Sequence, residues 1–210
     1  MLTLSLPREV TAATGVDMMA HAIESYMSKR RNPFSSALAS EAVYLGFEYL
    51  SAVAFNLQNV EARSLLLLAA HYAGIAFFAT GLGAAHALAH SITSVLGVTH
   101  GVALGILLPQ VIETNKAAVS EELSRLTGLI AKRISNDDLK SALIKQGLPY
   151  AICTLAEQIG LPTRIKQIVP NVSEAQLRQI SALAASDDVI ANNPIDLSED
   201  QLYEILVAMV

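Results

Sequence analysis

Residues 81–101 read GLGAAHALAHSITSVLGVTHG, and they indicate how this chain folds. The apolar residues recur at helical rather than alternating spacing, which is typical of a helix with a buried face. Gly97 follows this pattern directly and is a natural C-cap, because glycine readily adopts the left-handed conformation that ends many helices. We therefore predict a helix over residues 84–96.

Helical periodicity extends over nearly the whole chain. Patterns typical of strands are almost absent, and capping boxes at Ser173–Gln176 and Ser198–Gln201 each predict a short helix near the C-terminus. The sequence predicts an all-α fold, a multi-helix bundle of about eight to nine helices. The other predicted helices cover about residues 14–28, 34–52, 60–80, 99 toward 109, 123–130 and 149–159.

The composition is apolar, with 52% hydrophobic residues, 16% charged residues and a mean hydropathy of +0.43. The length predicts one helical domain, residues 1–210, in which about 165–210 form a more polar C-terminal appendage. A net charge of −5 without a concentrated basic cluster argues against a nucleic-acid partner. The apolar excess predicts either a large core or an apolar face that a partner covers.

Residues 64–112 contain no Asp, Glu, Lys or Arg, a length that would allow a membrane-spanning helix. Six glycines and four histidines interrupt the stretch, so we interpret it as buried core and expect no membrane association. The single cysteine, Cys153, lies in an apolar run and is predicted to be a small buried core residue. Met1–Pro7 lacks the basic opening of a secretory signal, which predicts a cytoplasmic location.

The histidines suggest a metal site. His86 and His90 lie four residues apart on a predicted helix, so both side chains leave the same face. Asp17 and His21 form a second pair with the same spacing, and His100 follows on a turn. A borderline divalent metal ion takes three or four imidazole and carboxylate ligands, and these residues can supply them.

Each of these residues also has an ordinary structural interpretation. Asp17 could cap the first helix, or form an i,i+4 ion pair with His21. A single histidine such as His86 or His90 is more often a hydrogen-bonded core residue than a ligand. Several histidines buried together without polar partners would be costly, however, so the cluster favours a metal site. His71 has no such companion and is expected to be structural.

Several blocks of the sequence resemble the iron-containing (group III) alcohol dehydrogenase family. They are TAATGVDMMAHAIE at residues 11–24, GLGAAHALAH at residues 81–90 and HGVA at residues 100–103. Shorter matches in the family's order are Leu107–Pro109, Gly160–Pro162 and Asn193–Pro194. The resemblance covers nearly the whole chain and implies the dehydroquinate synthase-like, helical C-terminal domain of this family.

The resemblance implies metal ligation by Asp17, His21, His86 and His100, with Fe²⁺ as the first choice and Zn²⁺ as the alternative. His90 would then be a catalytic proton-relay residue near the nicotinamide, although spacing alone pairs it with His86. The implied reaction oxidises small alcohols or reduces aldehydes with NAD or NADP, and a homo-oligomer is expected. No cofactor-binding residue is assigned, because the family's N-terminal dinucleotide-binding domain is expected to be absent from this chain.

Some positions depart from the family's pattern and leave the substrate open. Thr99 stands where a proline commonly precedes the last ligand, Ser91–Thr93 replaces a stretch that contains glycine, and Met18 and Met19 replace more usual residues beside Asp17. A non-catalytic helical metal-binding or interaction module and a zinc-dependent glycerol dehydrogenase-like relative remain alternatives. We expect the chain alone to bind metal without turning over alcohol.

Overall fold

A computed structural model describes residues 3–210, so Met1 and Leu2 of the predicted domain lie outside the described residues. Within them the chain forms ten α-helices, two short 3-10 helices and no strand, which confirms the all-α prediction with one or two helices more than expected. The helices are α1 (Arg8–Met27), α2 (Pro33–Phe55), α3 (Val60–Thr80), α4 (Ala84–Leu96), α5 (His100–Asn115), α6 (Ser120–Ala131), α7 (Asp137–Gln146), α8 (Leu148–Ile159), α9 (Glu174–Ala185) and α10 (Glu199–Ala208), with 3-10 helices at Ile165–Gln167 and Asp188–Asn192.

Most helix ends follow signals in the sequence. Asn32 caps α2, because its side chain accepts hydrogen bonds from the backbone N–H groups of Phe34 and Ser35. Gly97 and Gly160 end α4 and α8 with φ values of +68° and +84°, in the left-handed region that favours glycine. Both predicted capping boxes, at the starts of α9 and α10, are confirmed.

The structure differs from the predicted helices in three places. Helix α1 begins at Arg8 rather than near residue 14, so Asp17 lies inside the helix and the interpretation of Asp17 as its N-cap is wrong. Helix α5 continues through Pro109 to Asn115. Helix α7 was not predicted, because its ten residues are mostly polar, although Leu139, Ala142 and Leu143 recur at helical spacing and are buried.

The core forms where α1, α2 and α3 pack against one another and α5 packs against α1, α4 and α8. Helices α1 and α5 approach closely at Gly101, where a Cβ atom would overlap the backbone carbonyl of Ala13. This contact places Asp17, one turn further along α1, beside His100 at the start of α5. Helix α9 packs on α4 and brings the C-terminal segment to the same region.

Helix α3 is only partly buried. Ala69, Ala73 and Ala76 face inward, whereas Leu67 is exposed and Phe78 is 89% exposed. The interpretation of the whole uncharged stretch as core is therefore wrong for α3, because one apolar face of this helix has no covering element within residues 3–210. By length and composition alone α3 could cross a membrane. One helix of this kind is weak evidence for a membrane span.

The burial of Cys153 and the exposure of His71 can also be compared with the predictions. Cys153 is half-buried rather than buried, because it lies at the edge of the inward face of α8. Burial nevertheless raises the pKa of its thiol. His71 lies on the exposed side of α3.

Candidate metal centre

Four side chains from three helices converge at the start of α4. Asp17 and His21 come from one face of α1, His86 from the first turn of α4 and His100 from the first residue of α5. Oδ1 of Asp17 lies 3.4 Å from Nδ1 of His21 and 3.6 Å from Nε2 of His86. Nε2 of His100 lies 3.9 Å from the same oxygen. Asp17 is thus the common neighbour of three imidazoles.

Two of the facing atoms lack a partner among residues 3–210. Oδ1 of Asp17 and Nε2 of His86 are buried and take part in no hydrogen bond within this range. A buried polar atom left unpaired is costly, which indicates that a group from outside the chain completes the site. Ligand atoms at normal bond lengths around a tetrahedral ion lie about 3.4 Å apart, close to the distances from Oδ1 of Asp17. Ligand atoms of Asp17, His21 and His86 also all lie within 4.8 Å of one another. The donor set therefore fits a divalent cation.

Glu24 contacts His86 on the side away from Asp17. Its Oε2 lies 2.6 Å from Nδ1 of His86 and accepts a hydrogen bond from the Gly83 N–H at 3.0 Å. Its Oε1 accepts from the Ala85 N–H at 2.6 Å. Glu24 was not among the residues predicted from the sequence, although its spacing of seven residues from Asp17 places both on one face of α1 and could have revealed it.

His90 lies beside this cluster with a different partner. Its Nδ1 is 2.7 Å from Oδ2 of Asp187, which precedes the second 3-10 helix, and its ring stacks on that of His100 with centroids 5.3 Å apart. The ring centroids of His86 and His90 are 6.2 Å apart. The pairing of His86 with His90 as ligands, which spacing alone suggested, therefore does not describe the arrangement around Asp17.

The electrostatic environment separates the protonation states of the cluster. Burial acts to raise the pKa of Asp17, but the nearby imidazoles hold that pKa below its ordinary value. Burial and the neighbouring His86 lower the pKa of His21 to about 4. Burial also lowers the pKa of His100. At neutral pH Asp17 is therefore a carboxylate and His21 and His100 are neutral, the forms in which they can bind a cation.

His86 and Glu24 form a buried pair in which the carboxylate favours the protonated imidazole. Burial acts to lower the pKa of His86, but the charge of Glu24 and the contacts with Asp17 and Glu24 outweigh burial and raise it to about 9. Burial acts to raise the pKa of Glu24, but the charge of His86, its hydrogen bond and the two backbone N–H groups hold that pKa below its ordinary value. Glu24 is thus a carboxylate inside the core.

The cluster has an apolar wall and an adjacent cavity. The ring of Phe77 stacks on that of His21, with centroids 4.7 Å apart and an angle of 20° between the planes. A cavity of about 270 Å³ borders Asp17 and His100 and is also lined by Thr14 and Val102. A cavity of this size beside the cluster offers room for a small molecule.

The helical bundle that carries this cluster resembles part of one class of oxidoreductase. The chain matches the model of the Fe-containing alcohol dehydrogenase family, C-terminal, over residues 11–210, and it belongs to this family. The match confirms the resemblance that the sequence blocks carry, including its extent over nearly the whole chain.

Several characterised relatives are similar to the chain. The 1,3-propanediol dehydrogenase of Citrobacter freundii is 33% identical over 206 residues, which cover 98% of this chain and 52% of that protein. The NAD-dependent methanol dehydrogenase of Bacillus methanolicus is 29% identical over 205 residues, covering 98% and 53%. A crystal structure of a 1,3-propanediol oxidoreductase superposes with a TM-score of 0.88 at 30% identity, covering 99% of this chain and 53% of that one. The chain spans about half the length of the curated relatives it matches.

Proposed function

We propose that this chain is the metal-binding half of an NAD(P)-dependent alcohol dehydrogenase that oxidises small alcohols or reduces aldehydes. The observation that supports this most is the convergence of three imidazole nitrogens within 3.9 Å of one carboxylate oxygen of Asp17. Membership of the iron-containing alcohol dehydrogenase family gives the reaction class. The cavity beside His100 is compatible with a small substrate.

Asp17, His21, His86 and His100 would hold the ion. One carboxylate and three neutral imidazoles leave a divalent cation with a net positive charge, and the ion, when bound, would polarise the alcohol oxygen for hydride transfer to the nicotinamide. We propose Fe²⁺ first, because the family is named for iron. Zn²⁺ accepts the same ligands and stands higher in the affinity order, so it remains the alternative.

His90 is proposed as the catalytic proton relay. The bond from its Nδ1 to the Asp187 carboxylate favours a proton on Nδ1, which leaves Nε2 free to accept another. The His90 side chain is 44% exposed while its ring stacks on that of His100. His90 can therefore exchange a proton between the site and solvent without being a ligand itself.

The nicotinamide cofactor is proposed from the relatives. One of them is named an NAD-dependent methanol dehydrogenase, and this chain spans about half its length. We propose that a dinucleotide-binding domain outside these 210 residues supplies the cofactor site, and that NAD or NADP is chosen there. The chain alone is then expected to bind metal without oxidising alcohol.

Anaerobic titration of the purified chain with Fe²⁺, followed by metal analysis, tests the proposal. We expect one ion per chain, loss of binding in His86→Ala, and unchanged binding in the matched control His71→Ala, which removes an exposed imidazole of α3. An absence of binding, or binding that His86→Ala leaves intact, would contradict the proposed site. Parallel titration with Zn²⁺ compares the two candidate metals.

Activity distinguishes the enzyme from a non-catalytic metal-binding module. The chain alone should show no NAD-dependent oxidation of 1,3-propanediol, and joining it to a dinucleotide-binding domain from a relative should produce activity that His90→Ala reduces. Metal binding without activity in every such combination would favour the non-catalytic module. The cytoplasmic location and the homo-oligomeric state stay predictions.

A further inference from the structure

Glu24 occupies a position that the proposed ligand set does not explain. Its carboxylate is buried between α1 and α4 and accepts hydrogen bonds from two backbone N–H groups, those of Gly83 and Ala85. Among residues 3–210, the side-chain nitrogen to which it is hydrogen-bonded is Nδ1 of His86, at 2.6 Å. A buried carboxylate is costly unless it is hydrogen-bonded, and these three bonds offset that cost. They do not explain why one of the three donors is a histidine ring.

The contact with Glu24 determines which nitrogen of His86 faces the cluster. An ionised carboxylate only accepts hydrogen bonds, so Nδ1 must carry the proton that lies between it and Oε2 of Glu24. In the neutral ring the lone pair is then on Nε2, the atom 3.6 Å from Oδ1 of Asp17. Nε2 is also the buried nitrogen that has no partner within residues 3–210. A neutral His86 ring is therefore held with its lone pair toward the proposed ion.

We propose that Glu24 is a positioning residue, which acts through His86 by fixing the ring orientation and the Nε2 lone pair for metal binding. This inference rests on the proposed function. Carboxylates that accept from the distal nitrogen of a ligating histidine commonly strengthen metal binding. Glu24 suits this task because the N–H groups of Gly83 and Ala85 hold both of its oxygens, so the carboxylate cannot turn away from His86.

Glu24 also ties the first turn of α4 to α1, which is a purely structural role. Gly83 is the N-cap of α4 and has no side chain to accept from the free N–H groups, so the carboxylate satisfies them instead. A negative charge at this end of the helix is favourable as well. A test must therefore separate a loss of metal binding from a general loss of stability.

Glu24→Gln is the sharpest variant, because it keeps the size of the side chain and one oxygen acceptor. Gln has one acceptor oxygen where Glu24 has two, so it cannot accept from the Gly83 N–H, the Ala85 N–H and Nδ1–H of His86 together, and it removes the negative charge beside the ring. The matched control is Ser25→Ala, which removes a buried hydrogen bond to Thr80 from the next position of α1 without touching His86. The probe is Co²⁺, and the measurements are its dissociation constant, its visible absorption spectrum and the midpoint of thermal unfolding.

We expect Glu24→Gln to weaken Co²⁺ binding about 10- to 100-fold and to change the spectrum. Ser25→Ala should lower the unfolding midpoint and leave both the affinity and the spectrum near those of the wild type. Unchanged affinity and spectrum in Glu24→Gln would overturn the inference. So would an affinity loss that Ser25→Ala reproduces at the same loss of stability.

A second measurement on the wild type keeps the inference testable if Glu24→Gln does not fold. In the Zn²⁺-loaded chain, ¹⁵N-edited NMR should show a slowly exchanging Nδ1–H on His86, because that proton is buried and bonded to Glu24. A His86 ring that carries its proton on Nε2 would overturn the inference. If the wild type binds neither Co²⁺ nor Zn²⁺, the proposed function itself fails, whereas tight wild-type binding that Glu24→Gln retains contradicts only the role of Glu24.

Discussion

Nδ1 of His90 lies 2.7 Å from Oδ2 of Asp187, although the two residues are 97 positions apart in the chain. Oδ1 of the same carboxylate accepts a hydrogen bond from the Val189 N–H and so caps the second 3-10 helix. One side chain thus links the turn after α9 to the histidine that we propose as proton relay. The C-terminal segment is therefore part of the site.

The pKa of Asp187 gives this contact a pH dependence. Burial acts to raise that pKa, but the hydrogen bonds from His90 and Val189 and the charges of His90 and His86 hold it below the ordinary value. A carboxyl whose pKa is lowered on folding stabilises the fold fully above its unfolded pKa of about 3.9, and this contribution is lost as the pH falls through the folded value.

Asp187→Asn should therefore lower the thermal unfolding midpoint near neutral pH, and its difference from the wild type should shrink as the pH falls from about 5 to about 3. Thermal unfolding of both proteins across this range measures the effect. Asp188→Asn is the matched control, because the carboxylate that bonds to His90 and to the Val189 N–H belongs to Asp187 and not to its neighbour. A difference that stays constant with pH would contradict the assignment.

Metal binding should stabilise the fold, because a ligand that binds only the folded chain lowers the free energy of the folded state. At a free Zn²⁺ concentration about 100 times the dissociation constant, the free energy of unfolding should rise by about 2.7 kcal/mol. For a domain of this size we expect a rise of about 5–10 °C in the unfolding midpoint, reversed by a chelator. Mg²⁺ is the control, since it prefers oxygen ligands and should produce little shift. An equal shift with Mg²⁺ would argue against an imidazole-rich site.

Local periodicity predicted most of the fold and grouped the candidate ligands into pairs, whereas the ligand set itself came from the family resemblance. The i,i+4 pairs Asp17/His21 and His86/His90 are visible in the sequence, because helical geometry alone places each pair on one face. Spacing could not show that Asp17 faces His86 rather than His90, since that depends on how α1 and α4 cross. The resemblance to known dehydrogenases supplied that distinction.

Long-range partners were beyond prediction from the sequence. Glu24 meets His86 across 62 residues and Asp187 meets His90 across 97, and neither pairing leaves a local pattern. The exposed face of α3 was missed for a related reason. Apolar composition shows that Leu67 and Phe78 favour burial, but it does not show which element covers them.

Asn193 and Asn115 form a buried pair that fastens the C-terminal segment to α5. Their side-chain amides exchange hydrogen bonds of 3.0 Å and 2.8 Å, and Oδ1 of Asn193 also accepts from the Ala84 N–H. Asn193→Ala would remove both of these bonds to the Asn115 amide in the core, so we expect a loss of about 1–3 kcal/mol in the free energy of unfolding. Urea denaturation measures it. The control is Asn171→Ala at an exposed position, which should change the free energy of unfolding by no more than about 0.5 kcal/mol. Equal losses in the two variants would refute a special role for the Asn193–Asn115 pair.

Gly101 controls the distance between α1 and α5, and therefore the position of His100 relative to Asp17. A Cβ atom at Gly101 would overlap the backbone of Ala13, which cannot move aside by a change of rotamer. Gly101→Ala should force the helices apart and cost about 1–3 kcal/mol.

The matched control for that substitution is Gly74→Ala in α3, where a Cβ atom would meet nothing within 4 Å. Because alanine is the better helix former, this variant should gain about 0.5–1 kcal/mol. Urea denaturation gives both free energies, and Co²⁺ titration should show weaker binding only in Gly101→Ala, since only that change moves a proposed ligand. If Gly101→Ala bound Co²⁺ as tightly as Gly74→Ala, the close approach of α1 and α5 would not be what brings His100 to the site.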